Sequence, residues 1–144
     1  MKLHAHYALI VLLASALPAP FIRAESEDHH RKRSGSVIEA TSLQQLQSIL
    51  ANNQYVVVDF YATWCRPCQR MLPEFGKVPA SFTNNNVVFV KIEVSIAGNS
   101  YGVKMLPTVA CFANNQEISR STGFKSTNDL VNYVKSVFKN LPYF

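Results

Sequence analysis

Tyr55 to Pro73 reads YVVVDFYATWCRPCQRMLP. Its first part, Tyr55, Val56, Val57, Val58 and Phe60, has the length and β-branched, apolar composition of a strand buried on both faces. Ala62-Thr63-Trp64 ends the run. Gln69, Arg70, Met71 and Leu72 then follow in helical spacing, which gives strand, turn and helix with Cys65 where the helix begins. Backbone N–H groups in a first helical turn lack intrahelical partners and, with the macrodipole, favour negative charge there. A thiol at that place gives up its proton more readily, and the thiolate is the nucleophile. Cys68, three residues on, falls on nearly the same helical face, close enough for a disulfide with Cys65. Pro67 costs little, because an N–H in a first turn has no partner to lose.

Composition narrows the chemistry further. The 144 residues allow one domain of ordinary size, and 48% apolar residues suffice for a core. Residues 1–35 carry five Lys/Arg against three Asp/Glu, and residues 36–144 carry nine against six. The formal charge of +5 is thus spread thinly and gives nucleic-acid binding little support. His4, His6, His29 and His30 all precede Val37, which leaves no histidine for a catalytic dyad or metal site in the folded part. Three cysteines make one close pair plus Cys111. Such a pair between strand and helix reads as redox-active, whereas a zinc site would want two more ligands. No metal or cofactor is expected. Cys111 lies in an apolar strand pattern, where a single cysteine acts as a small hydrophobe.

From Val58 to Cys68 the sequence VDFYATWCRPC resembles the VDFWAxWCGPC signature of the thioredoxin family, departing at Tyr61 and Arg66. Pro73 falls where the family has a helix-kinking proline, and Met105-Leu106-Pro107-Thr108 resembles its cis-proline loop. The resemblance covers about Ser36 to Leu141. It implies an α/β thioredoxin fold, a central mixed sheet of about five strands flanked by helices, and thiol–disulfide exchange with protein substrates. Carried over residue by residue, it makes Cys65 the exposed nucleophile and Cys68 the resolving thiol. Asp59 becomes a buried proton relay, Lys91 a lysine approaching that carboxylate, and Pro107 a cis-proline. Trp64, Arg66, Pro67, Val94, Leu106, Gly123 and Phe124 then line a shallow substrate groove. A buried carboxyl in an apolar strand holds its proton more tightly, which suits Asp59 to that role. Arg66 in place of glycine puts a cation beside the nucleophile, which favours thiolate and a more oxidising disulfide. The link between Lys91 and Pro107 is about three residues shorter than usual, and the acidic residue usual near Ser95 is absent.

The other elements read in order. Val37 to Ala40 is a strand, and Ser42 with Gln45 resembles a capping box before a helix that ends at Asn52-Asn53. The cysteine helix should bend at Pro73 and stop by Pro79. Val87 to Val94 is a strand and Ser95 to Tyr101 a short irregular or helical link. Thr108 to Ala113 and Glu117 to Thr122 form a hairpin about Asn114-Asn115, and Ser126 opens a final helix.

Ahead of the domain at 36–144, residues 1–24 read as a secretory signal peptide. Lys2 starts it, and the apolar stretch Tyr7 to Leu17 is shorter than the ~20 residues a span requires. Ala14-Ser15-Ala16 and Ile22-Arg23-Ala24 both offer cleavage contexts, the second preferred, after which no membrane insertion is expected. An uncleaved anchor is the alternative. Residues 25–35 contain no apolar residue apart from glycine and read as a disordered linker. The expected location is the secretory pathway, secreted or in an organelle lumen. The resemblance also implies a thioredoxin reductase as electron source. A second reading keeps the fold but makes the chain an adaptor that binds a secretory-pathway or translocation complex through the groove.

Overall fold

A computed structural model of the chain describes residues 35–83, 86–142 and 144. The signal peptide and, apart from Gly35, the linker expected from sequence lie outside the described residues. The elements are β1 (Val37–Ala40), α1 (Leu43–Asn52), β2 (Tyr55–Tyr61), α2 (Arg66–Lys77), β3 (Val87–Glu93), α3 (Val94–Ala97), β4 (Thr108–Ala113), β5 (Gln116–Thr122) and α4 (Thr127–Phe138). They build one five-stranded mixed sheet in the order β1-β3-β2-β4-β5. β1, β3 and β2 run parallel, and β4 and β5 are added antiparallel. Central β2 is buried along its whole length, the condition its near-continuous apolar run requires.

Alternation along β2 divides the interior into two layers. Tyr55 and Val57 face Met71 and Phe75 of α2 and Leu130, Val134 and Phe138 of α4. Val56, Val58 and Phe60 face Leu46 and Leu50 of α1 on the other side. Truncating one of these fully buried side chains to alanine costs about 2–5 kcal/mol, a large share of an ordinary domain's stability. Tyr55 also closes the C-terminus: its hydroxyl donates to the Pro142 carbonyl, and its ring meets those of Phe138 and Phe144.

Local signals set most boundaries. Ser42 Oγ accepts the Gln45 amide at the start of α1, but the reciprocal half of the expected capping box goes elsewhere, since Gln45 Oε1 accepts the Thr41 amide. A complete box opens α4, with Ser126 and Asp129 each bonding the other's backbone. Asn114 and Asn115 turn the β4–β5 hairpin at φ 49° and 65°, the left-handed pair of a tight hairpin turn. The cysteine helix gives way after Lys77 to a 3-10 turn over Val78–Phe82, with Pro73 inside α2. β3 stops one residue short of the expected Val94, which instead begins α3.

Candidate active site

β2 leads directly into the site. Cys65 is the N-cap of α2, with extended backbone, and its Sγ accepts the Cys68 amide at 3.2 Å. Pro67 occupies the first turn. The turn that delivers Cys65 is held at both ends: the Cys65 amide donates to the Ala62 carbonyl at 3.2 Å, and Gln69 Nε2 to the Thr63 carbonyl at 2.6 Å. Cys65 and Cys68 are joined in a disulfide with Cα atoms 5.2 Å apart. An amide aimed at the N-cap sulfur, together with the helix dipole, stabilises a thiolate when the bond is open.

Cys65 is less open than its place in the sequence suggests. It is 6% exposed and Cys68 1%, because the disulfide packs on Tyr61 and Ala62 with Leu72, Val94 and Leu106 closing around it. Accessibility comes from the rim instead. Trp64 is 75% exposed, Met105 63% and Phe124 43%, large apolar side chains that adjoin Cys65, Leu106 and Gly123 in sequence. Leu106-Pro107 is a cis peptide bond, Pro107 is buried, and its carbonyl accepts the Gly123 amide at 2.9 Å. Gly123 has φ 86°, a conformation glycine adopts without strain. The Arg70 guanidinium lies 4.8 Å from the centre of the Phe124 ring. Arg66, Pro67, Gln69 and Arg70 line a shallow recess beside the disulfide.

Asp59 has no exposed surface, and among the described residues neither carboxylate oxygen has a hydrogen-bond partner. Burial pushes its pKa up to about 7, against a smaller lowering by the charge of Lys91. Lys91 is the residue opposite Asp59 in the β2–β3 register, and its charge acts on that carboxyl, but among the described residues its ammonium makes no hydrogen bond to it. Its direct ion pair is with Glu39 Oε2 at 3.1 Å, where both partners keep contact with water. Cys111 lies fully buried in β4, where burial pushes its thiol up to about 12 and leaves it inert as a nucleophile. Among the described residues no cluster of His, Cys, Asp or Glu could hold a metal ion.

Several contributors are not apparent from sequence. Tyr61, Ala62 and Leu72 touch the disulfide, and Met105 extends the apolar rim. Gln69 and Arg70 carry a signal, lying one turn beyond the cysteine that opens the helix, although their spacing by itself indicates only a helix. Glu74 carries none. Its carboxylate reaches from α2 to the start of α4, accepting the Thr127 amide at 3.0 Å and hydroxyl at 2.5 Å.

A helix-capping disulfide on a strand–turn–helix, with a cis-proline loop closing over it from the same sheet, defines a thiol–disulfide oxidoreductase of thioredoxin fold. A thioredoxin family model matches residues 37–136. The chain is 37% identical over 102 residues to a thioredoxin of Mycoplasma pneumoniae, an alignment covering 68% of this chain and 97% of that one. A thioredoxin of Mycoplasma genitalium is 36% identical, over 66% of this chain and 94% of its own. Among solved structures, thioredoxin of Malassezia sympodialis superposes with a TM-score of 0.64 at 29% identity, covering 72% of this chain and 91% of that chain. Thioredoxin of Nicotiana alata gives 0.63 at 32%, covering 72% and 93%. The chain belongs to the thioredoxin family, and its Cys65–Cys68 pair carries thiol–disulfide exchange.

Proposed function

We propose that the chain reduces disulfides in protein substrates, with Cys65 attacking and Cys68 resolving. The observation that carries this reading is the Cys68 amide aimed at Cys65 Sγ on the N-cap of α2, 3.2 Å away. In the reduced protein the Cys65 thiolate attacks one sulfur of the substrate disulfide. A Cys65–substrate disulfide forms, the substrate S–S bond breaks, and the departing sulfur leaves as thiolate and takes a proton from water. Cys68 then gives its proton to the Asp59 carboxylate, attacks Cys65 Sγ and closes the intramolecular disulfide. The second substrate sulfur leaves as thiolate, and two electrons have passed to the substrate.

The rim supports a protein substrate. Trp64, Met105 and Phe124 offer apolar contact around the sulfurs, and Leu106 makes no backbone hydrogen bond among the described residues, which leaves its peptide groups to pair with an extended segment. A flavoprotein reductase is the electron source this reading favours. One relative, a bifunctional thioredoxin reductase/thioredoxin of Mycobacterium leprae, is 31% identical over 113 residues, 76% of this chain and 24% of that one. The basic start and short apolar stretch ahead of the domain favour a secretory-pathway location, which imaging of a C-terminally tagged chain would test. No observation favours the adaptor reading over catalysis.

Reduction of insulin by the chain with dithiothreitol as electron donor tests the activity. Turnover well above the dithiothreitol blank, abolished by Cys65→Ser, is expected. A rate equal to the blank would refute the reading.

A further inference from the structure

Three ionisable side chains stand abreast on neighbouring strands. β1 sets Glu39 opposite Lys91 of β3, and β3 sets Lys91 opposite Asp59 of β2. The twofold alternation of each strand places all three on the face covered by α2, with Val37, Phe89 and Val57 beside them in sequence and in the same apolar cluster. One ammonium therefore has two carboxyl groups to choose between.

It takes the outer one. Lys91 Nζ lies 3.1 Å from Glu39 Oε2, and the Tyr61 hydroxyl donates to Glu39 Oε1 at 3.0 Å. The same ammonium sits 5.7 Å from the centre of the Tyr61 ring. Glu39 is thus gripped at both oxygens while Asp59 is gripped at neither. Solvation explains the choice: the Lys91 and Glu39 side chains are 29% and 52% exposed, so their pair forms in contact with water. A lysine turned onto fully buried Asp59 would shed that water, a desolvation cost that Coulomb attraction only partly returns.

We propose that Glu39 is a positioning residue: by holding the Lys91 ammonium in its own ion pair it keeps that charge from closing onto Asp59, and so preserves the affinity of the buried carboxyl for a proton. The inference rests on the reading of Asp59 as proton partner of Cys68. Around Asp59 the other groups are few. β3 contributes Lys91 and, farther along, Glu93; β1 contributes Glu39; β2 contributes Tyr61. α2 contributes the two cysteines, which do not titrate while joined, and β4 sets uncharged Val109 opposite. Lys91 is the single cation among them, so where it is held decides the charge that Asp59 feels.

The test is an NMR titration of the Asp59 side-chain carboxyl in the oxidised full-length chain, in which neither site cysteine can titrate. Glu39→Gln keeps an acceptor for Tyr61 but frees the lysine, and should lower the Asp59 midpoint by about one pH unit, the effect of an approaching opposite charge. Glu39→Asp retains the charge and should stay near wild type. Lys91→Met alone should raise the midpoint by less than Glu39→Gln lowers it, since the cation is already held off. In the Lys91→Met background Glu39→Gln should have almost no effect, which separates action through the lysine from the direct field of the carboxylate. An unchanged midpoint in Glu39→Gln, or an equal drop with the lysine removed, overturns the proposal. The readout needs no turnover, so a chain that fails to reduce insulin would refute the functional reading while leaving this measurement to stand or fall alone.

Discussion

The Gly123 amide donates to the Pro107 carbonyl across 2.9 Å, tying the loop before α4 to the cis-proline loop before β4. Two segments far apart in sequence thereby form one wall beside the disulfide, with Leu106 against the sulfurs and exposed Phe124 beneath Arg70. The geometry of that wall depends on residues well outside the CxxC motif.

Cys68→Ser should preserve attack by Cys65 and block release. Mixed disulfides with protein substrates should accumulate, resolvable by reducing agent on gels, while steady-state turnover falls to background. Cys65→Ser should trap none. Equal trapping by both variants would contradict the order of attack.

The pH dependence of Asp59 follows from its burial. Its proton is released at about pH 7 in the folded protein against 3.8 for an unperturbed carboxyl, so the folded state binds the proton more tightly. The contribution of Asp59 to stability is therefore full below pH 3.8 and lost as pH rises through 7. Asp59→Asn should match wild type at low pH and exceed it above neutrality by at most about 4 kcal/mol, measured by denaturant unfolding across that range. Its turnover at neutral pH should fall on the order of a hundredfold. No gain in stability at pH 8 would be inconsistent with a buried, unpartnered carboxyl.

Arg66 begins α2 next to Cys65 in sequence and is exposed. On the proposed reading its charge should favour the Cys65 thiolate and hence the reduced protein. Arg66→Gly should be the more reducing of the two, by a fewfold in the equilibrium constant with glutathione, where tenfold corresponds to about 30 mV. A variant potential equal to or above that of wild type would remove Arg66 from the account.

The Glu74 carboxylate accepts the Thr127 amide and hydroxyl and pairs with Lys77 at 3.0 Å, and these partners hold its pKa down at about 2. A depressed carboxylate stabilises above its unfolded value of 4.5, and that contribution is lost as pH falls through about 2. Glu74→Gln should lower the melting temperature at pH 7, with the difference from wild type shrinking toward pH 2. A difference that persists undiminished in acid would show that charge plays no part.

Charge around the groove should select substrates. Arg66, Arg70 and Lys104 have no ion partner among the described residues, and Lys125 donates only to the Thr122 carbonyl. Most acids of the domain are occupied: Glu39, Glu74, Glu117 and Asp129 by partners on the protein, and Asp59 by burial. Peptide disulfides flanked by aspartate or glutamate should be reduced several-fold faster than lysine-flanked ones at low salt. The ratio should approach one near 1 M salt, where screening acts within about 3 Å. A ratio insensitive to salt would rule out electrostatic selection.

What sequence determined lies within short spans of chain. The β2 strand, the cysteine that caps α2, the proline in its first turn and the asparagine hairpin are each governed by neighbours three or four residues away, so periodicity and capping chemistry reveal them. Boundaries missed by one residue, as at Val94, reflect the same locality, since where one element yields to the next depends on packing from outside. Tertiary structure alone decided the rest. Cys65 turned out largely buried because Val94 and Leu106, distant in sequence, close around it. Lys91 went to Glu39 because the strand order β1-β3-β2 put a carboxyl on each side of it and left only one of them in water. Sequence names the charges, but desolvation decides which of them pair, and desolvation exists only once the strands are side by side.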